Sequence, residues 1–223
     1  MQSASALLSR RPHKPVPSVS LGDDDITLAL GRVHELCGPA RRTLALALTA
    51  QIGAPVIWIT TPKASDRLNP DGLAQFIPPR DVVFVRADRD TSLLWAMEEA
   101  LRAGCAPIVI GDLHAPPAMT PVRRLHLAAE TGCGMGHCRP LALLLTPDSG
   151  GAPGIETRWS LRAAHDAKGD QWVLERLRAR MAPPRTWTLD KRTGHLAPVT
   201  DANPRKQPKA TKQVEFKVDL ASH

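Results

Sequence analysis

The 223 residues are enough for one domain with a core of its own. Apolar residues make up 43% and tyrosine is absent, so the abundant Ala and Leu point to a mixed helix-and-strand protein rather than a β-sandwich. The net charge of +7 suits nucleic acid or an acidic partner. Much of that excess lies in the tails, at Arg10, Arg11 and Lys14 and at Arg205, Lys206, Lys209, Lys212 and Lys217. The core is only mildly basic, which argues against a groove built to grip a duplex.

Residues 1–20 are rich in Ser, Pro and Arg and are expected to be disordered. "RVHELC" (32–37) is a short strand candidate, and "RTLALALTAQIG" (42–53) is a helix that stops at a glycine. "PVIWIT" (55–60) and "VVFVRA" (82–87) are apolar runs of strand length, as strands buried on both faces are. "TSLLWAMEEALRAG" (91–104) is a helix with Thr91 as N-cap and Leu94, Met97 and Leu101 on one face. "APIVIGDL" (106–113) is the next buried strand. "TPVRRLHLAAETG" (120–132) is a helix capped by Thr120 and ended by its glycine, and "PLALLLT" (140–146) is a further buried strand. Short apolar strands alternating with helices imply an α/β fold, a mostly parallel sheet flanked by helices.

The later part of the chain changes character. "ETRWSLRAAH" (156–165) and "RTWTLD" (185–190) alternate polar and apolar residues, as half-exposed antiparallel strands do. "DQWVLERLRARM" (170–181) is read as a strand because Arg176, Arg178 and Arg180 alternate, which puts all three on one face. Trp159, Trp172 and Trp187 lie in this part and cover an open face of the sheet if they pack together. Residues 21–201 thus form the domain, and residues 202–223, rich in Pro, Lys and Gln, form a disordered basic tail. No run reaches the roughly 18 apolar residues of a membrane span. Four cysteines without a disulfide framework imply reduced thiols and a cytoplasmic location.

The turn after "RVHELC" stands where a nucleotide-binding protein keeps its phosphate loop. A working loop reads G-x-x-x-x-G-K-[ST], so that backbone amides wrap the phosphates, lysine neutralises them and a hydroxyl holds Mg²⁺. Here Gly38 and Pro39 are followed by Ala40, Arg41, Arg42 and Thr43. The second glycine and the lysine are missing, and the loop is two or three residues short if Thr43 takes the hydroxyl position. Arg41 or Arg42 is available to an anion, but arginine does not replace that lysine. A tight strand-to-helix turn is the favoured reading, with no cofactor, and ATP binding and hydrolysis are disfavoured. Asp112, at a strand end, and Asp88, with Asp90 in the same loop, are the acidic positions that a metal-bound nucleotide would need.

The order of these elements resembles the RecA-like ATPase core, and more closely the ImuA family, RecA-related accessory proteins of the bacterial translesion mutasome. The stretches that carry the match are "GRVHELCGP", "PVIWIT", "SLLWAMEEALRAG" followed by "APIVIGDL", "RRLHLAAETG" with "RPLALLLT", and "TRWSL". Together they span roughly residues 22 to 190. Members of that family commonly lack an intact phosphate-loop signature. The resemblance implies a RecA-like core and a non-catalytic role in SOS-induced mutagenic DNA synthesis. The implied partners are an ImuB-type Y-family polymerase homologue, an error-prone DnaE-type polymerase and RecA, with weak or indirect DNA contact and association with the nucleoid after damage. Two alternatives share the ancestry: a RecA-related ATPase with a divergent phosphate loop, and a SulA-like inhibitor of cell division.

"CGMGHC" brings Cys133, His137 and Cys138 together around glycines, but zinc needs about four ligands, so no metal is expected. The helix bearing Trp95, Glu98 and Glu99 is one candidate partner surface, with both glutamates expected in solvent. The strand with Arg176, Arg178 and Arg180 is the other.

Overall fold

The computed structural model describes residues 17–199, apart from 54, 63–67, 136, 166–168, 181 and 193–194. The basic tail and residues 1–16 lie outside the described residues, so the disorder expected of them does too. Ser18–Ser20, read as the end of the disordered segment, instead forms strand β1 and pairs with β2 (Thr27–Ala29) in an antiparallel hairpin. Val19, Leu21, Ile26 and Leu28 anchor that hairpin on the core.

With this hairpin the described residues form eleven strands and four α-helices. After the hairpin come β3 (Val33–Cys37), α1 (Arg41–Ile52), β4 (Val56–Thr60), α2 (Pro70–Ala74), β5 (Val82–Arg86), α3 (Asp90–Ala103), β6 (Ile108–Asp112), α4 (Met119–Met135) and β7 (Leu141–Leu145). Then come β8 (Thr157–Ala163), β9 (Gln171–Ala179), β10 (Arg185–Arg192) and β11 (His195–Pro198). One nine-stranded sheet runs in the order β11-β10-β9-β8-β3-β7-β6-β4-β5. From β8 to β5 all neighbours are parallel. From β8 to β11 they are antiparallel. The fold is therefore α/β, with a parallel centre and antiparallel C-terminal strands.

Alternation along the central strands divides the core into two layers. Leu36, Ile108 and Ile110 face α1, α2 and the hairpin, whereas Val33, Val109 and Leu144 face α3 and α4. Strands β3, β6 and β7 are buried at every position, which explains their lack of polar alternation. Strand β5 does not share this burial. It is the sheet edge, with Val83 at 52% and Phe84 at 55% exposure, so an apolar run that reads as central has one unpaired side.

Both expected N-caps shift. Helix α3 starts one residue before Thr91, with Arg89 at the cap position and no side-chain cap bond. Helix α4 starts before Thr120, at Met119. More significantly, α4 runs through Gly132 instead of stopping there, because this glycine is a contact and not a terminator. A Cβ on Gly132 would lie 2.0 Å from the Leu101 carbonyl oxygen of α3. The two helices touch backbone to backbone at that point. Gly132→Ala is expected to destabilise the fold by about 2 kcal/mol, because overpacking against backbone outweighs the gain in helix propensity. Gly134→Ala is the control: nothing lies within 4 Å of its Cβ, so it should be neutral or slightly stabilising. Urea denaturation of both variants checks this, and equal stabilities would refute the close contact.

Candidate functional site

The carboxyl ends of β3, β6 and β4 form the edge at which α/β sheets usually hold ligands. The residues singled out after β3 do come to this edge, but they are committed to one another. Gly38 has φ +82°, and a Cβ there would meet the Leu161 carbonyl oxygen at 2.7 Å, so the turn is wedged against β8 and requires glycine. The Gly38 N–H donates to the Asp148 carbonyl at 2.8 Å and the Ala40 N–H to the Leu161 carbonyl at 3.0 Å. Pro39 has no N–H, and the Arg41 N–H donates to the Gly38 carbonyl at 3.3 Å. From Gly38 to Arg41 the backbone therefore offers no donor to an anion.

Arg41 and Arg42 take different directions. The Arg41 guanidinium donates back to the Gly38 carbonyl at 3.4 Å. Arg42 Nε donates to Asp112 Oδ2 at 2.7 Å, and Asp112 is 2% exposed at the end of β6. This carboxylate, the position at which a nucleotide-bound metal would be held, carries an internal counterion instead. Thr43, on the next position of α1, lines with Arg42 a cleft of about 290 Å³ against Leu73, Phe76, Trp172 and Lys191. Asp88 is exposed in the loop beyond β5. Its neighbour Asp90 instead holds His114 Nδ1 at 2.7 Å.

The two candidate surfaces are only partly surfaces. Trp95 is 61% exposed on α3, and Glu99 is exposed beside it. Glu98, expected in solvent, is 7% exposed and is gripped by Arg102 and by Arg124 Nη2, the latter at 2.7 Å. Helix α4 packs alongside α3 and turns that position inward.

The arginine stripe is broken by a bulge. Trp159 pairs with Arg176 and Arg158 with Arg178, so Leu177 is an extra residue and the face changes there. Arg176 is 7% exposed, its guanidinium carbon 5.6 Å from the Trp159 ring centroid and 5.2 Å from that of Trp187. It donates to the carbonyls of Pro183 and Asp25 at 3.0 and 2.8 Å. Arg178 and Arg180 are exposed, and Arg180 pairs loosely with Glu156 at 3.6 Å. Trp159, Trp172 and Trp187 are all buried on the α1 side of the sheet.

Two polar networks around β3 were not foreseen. Glu35, fully buried, binds the Arg158 guanidinium and accepts from Thr146 Oγ1 at 2.7 Å and from the Gly151 and Ala152 amides at 2.9 and 3.0 Å. His34, on the opposite face, is also fully buried. Its Nε2 lies 3.0 Å from the Ala29 carbonyl, which only accepts, so Nε2 carries the proton. Its Nδ1 then accepts from the Thr157 hydroxyl at 2.7 Å, and that hydroxyl accepts from Trp159 Nε1 at 2.7 Å. Burial pushes the His34 pKa down to about 4. The sequence signal for both networks was a pair of ionisable residues inside an apolar strand, a pattern that demands buried partners.

Among the described residues no group of His, Cys, Asp and Glu is arranged to hold a metal, and no helix is long and apolar enough to cross a membrane. No family model and no curated protein matches the chain.

Proposed function

We propose that the chain is a RecA-like, non-catalytic adaptor of SOS-induced mutagenic translesion DNA synthesis. In this reading it bridges an ImuB-type Y-family polymerase homologue and an error-prone DnaE-type polymerase, with RecA as a further partner and DNA touched weakly or indirectly. The role and the partners rest on the sequence resemblance. The non-catalytic part rests on one observation, the ion pair between Arg42 and Asp112 beside a loop whose amides are already bonded. A Mg²⁺-nucleotide site needs that carboxylate open to the metal and those amides open to phosphate.

Calorimetric titration with Mg²⁺-ATP should give no saturable binding up to millimolar nucleotide, and hydrolysis should stay at background with or without single-stranded DNA. Saturable binding that Asp112→Ala abolishes would overturn the non-catalytic reading. The adaptor part is tested by co-purification with the two polymerase-related proteins and RecA, and failure to retain any of them would overturn it. Reversing all three arginines is not a clean surface test, because Arg176 belongs to the tryptophan core. Arg178→Glu with Arg180→Glu, and separately Trp95→Ala with Glu99→Lys, should leave the melting temperature within about 2 °C. One of these pairs should weaken partner retention at least tenfold; normal retention by both would remove these surfaces from the interface.

A further inference from the structure

Three of the four cysteines converge where α3 and α4 end. Helix α3 closes at Gly104, and the next residue, Cys105, is exposed. Cys133 lies in the last turn of α4, held inside a helix rather than in the glycine loop that its sequence suggests. Beyond that helix the chain comes back onto the end of α3. The His137 N–H and the Cys138 thiol both donate to the Gly104 carbonyl oxygen, each at 3.1 Å.

That shared acceptor belongs to the peptide bond joining Gly104 to Cys105. A carbonyl oxygen lies roughly 2.8 Å from the following Cα, so Cys138 Sγ is within roughly 6 Å of Cys105 Cα. The Cys105 side chain is turned toward the Ala100 carbonyl, 4.0 Å from its sulfur, a contact that costs little to give up. A change of its χ1 rotamer turns the Cys105 sulfur from the Ala100 carbonyl toward Cys138. Burial, and then the neighbouring Cys105 and Cys133, push the Cys138 thiol pKa up, so these sulfurs lie within one another's field. Cys133 is directed elsewhere: its sulfur lies 2.7 Å from where a Cβ of Gly31 would be.

We propose that Cys105 and Cys138 form a peroxide-responsive thiol pair that closes into an intramolecular disulfide. The exposed Cys105 thiol loses its proton and its sulfur attacks one peroxide oxygen; the O–O bond breaks, a sulfenic acid forms, and the departing hydroxide takes up that proton as water. The Cys138 thiol then attacks the Cys105 sulfur, the S–S bond forms, and the sulfenic oxygen leaves as a second water. The two thiols lose two electrons and the peroxide gains them. The closed loop contains all of α4, so the bond ties both ends of that segment to the end of α3. In a reducing compartment it would be reversed by thiol exchange, which makes it a transient response and not a permanent staple.

The test uses the full chain, reduced and then treated with hydrogen peroxide, with remaining thiols trapped by N-ethylmaleimide. Mass spectrometry should find a chain lighter by two hydrogens, one linked Cys105–Cys138 peptide, and Cys37 and Cys133 alkylated after unfolding. Cys37 is the internal control, because it is fully buried. The oxidised protein should melt several degrees higher, and dithiothreitol should reverse the shift. Cys133→Ser should still form the link, whereas Cys138→Ser should leave Cys105 to proceed to sulfinic acid or to intermolecular dimers. Cys105 sulfinic acid or dimers in the wild-type chain with Cys138 still alkylated, or a Cys133–Cys138 link, would overturn the proposal.

Discussion

Arg158→Ala is expected to cost about 4 kcal/mol of folding stability and to lower the melting temperature by roughly 10 °C. Glu35 is fully buried, and Arg158, with 17% of its side chain exposed, is the cation that meets it. Without that guanidinium the carboxylate keeps its hydroxyl and amide donors but has no counterion in a site closed to water. Loss of the Arg158 Nη2 bond to the Ala152 carbonyl adds a smaller amount. Neutralising the stranded charge should repair much of the damage. The double variant Glu35→Gln, Arg158→Ala keeps an acceptor for Thr146 and should recover about half of the loss. Urea denaturation of the two variants and the parent measures this. A loss below about 1 kcal/mol in Arg158→Ala would mean that water or another cation reaches Glu35.

The second large effect is a dependence on pH carried by His34. Its folded pKa of about 4 lies below the unfolded value of 6.5. Above pH 6.5 neither state is protonated at this ring, and it adds no pH dependence. Between 6.5 and 4 the unfolded chain takes up a proton that the folded chain excludes, so stability falls as the pH falls. Below about 4 both states are protonated and this contribution levels off. The full span corresponds to about 3 kcal/mol, of which roughly 2 kcal/mol appears by pH 5. Arg176, Arg180 and Glu156 line the same cleft as His34, but both ring nitrogens are already bonded to Ala29 and Thr157. His126, whose pKa burial also lowers, contributes in the same direction. The readout is therefore a difference. Denaturation at pH 7.5 and pH 5 should show a smaller loss in His34→Asn than in the parent, by roughly 2 kcal/mol. Equal losses would mean that His34 takes up its proton in the folded state near the ordinary value.

The alternation of elements was legible because it depends on local signals. Apolar runs such as "VIWIT" and "LALLL" have the length and lack of alternation of strands covered on both sides, and they are central strands. "VVFVR" carries the same local signal and is an edge strand, because position in a sheet is decided by which strands pair and not by the strand itself. Gly132 reads as a helix terminator from its own side of the contact; only the Leu101 carbonyl on another helix reveals its use. The arginine periodicity predicted a strand correctly but not its faces, because a bulge is set by the mismatch between β8 and β9. At the candidate site the missing lysine and glycine were plain in the sequence. The destinations of Arg42 and of the loop amides were not, because Asp112, Asp148 and Leu161 are distant in the chain.

Strand β3 also sets a timetable for the chain. It is the earliest strand of the nine-stranded sheet, yet both of its neighbours, β7 and β8, come late in the sequence. Glu35 and Arg158 are separated by 123 positions. Closing a loop of that length exacts its entropic cost before any contact across it is made, so such pairings slow folding. During synthesis, β4 and β5 can pair early, and the antiparallel strands from β8 to β11 can zip through short connections. β3 must wait, with an unmatched carboxylate and imidazole, until residue 158 has emerged. The first strand of the sheet thus waits longest in the chain for its two neighbours, and the parallel centre closes inward onto it.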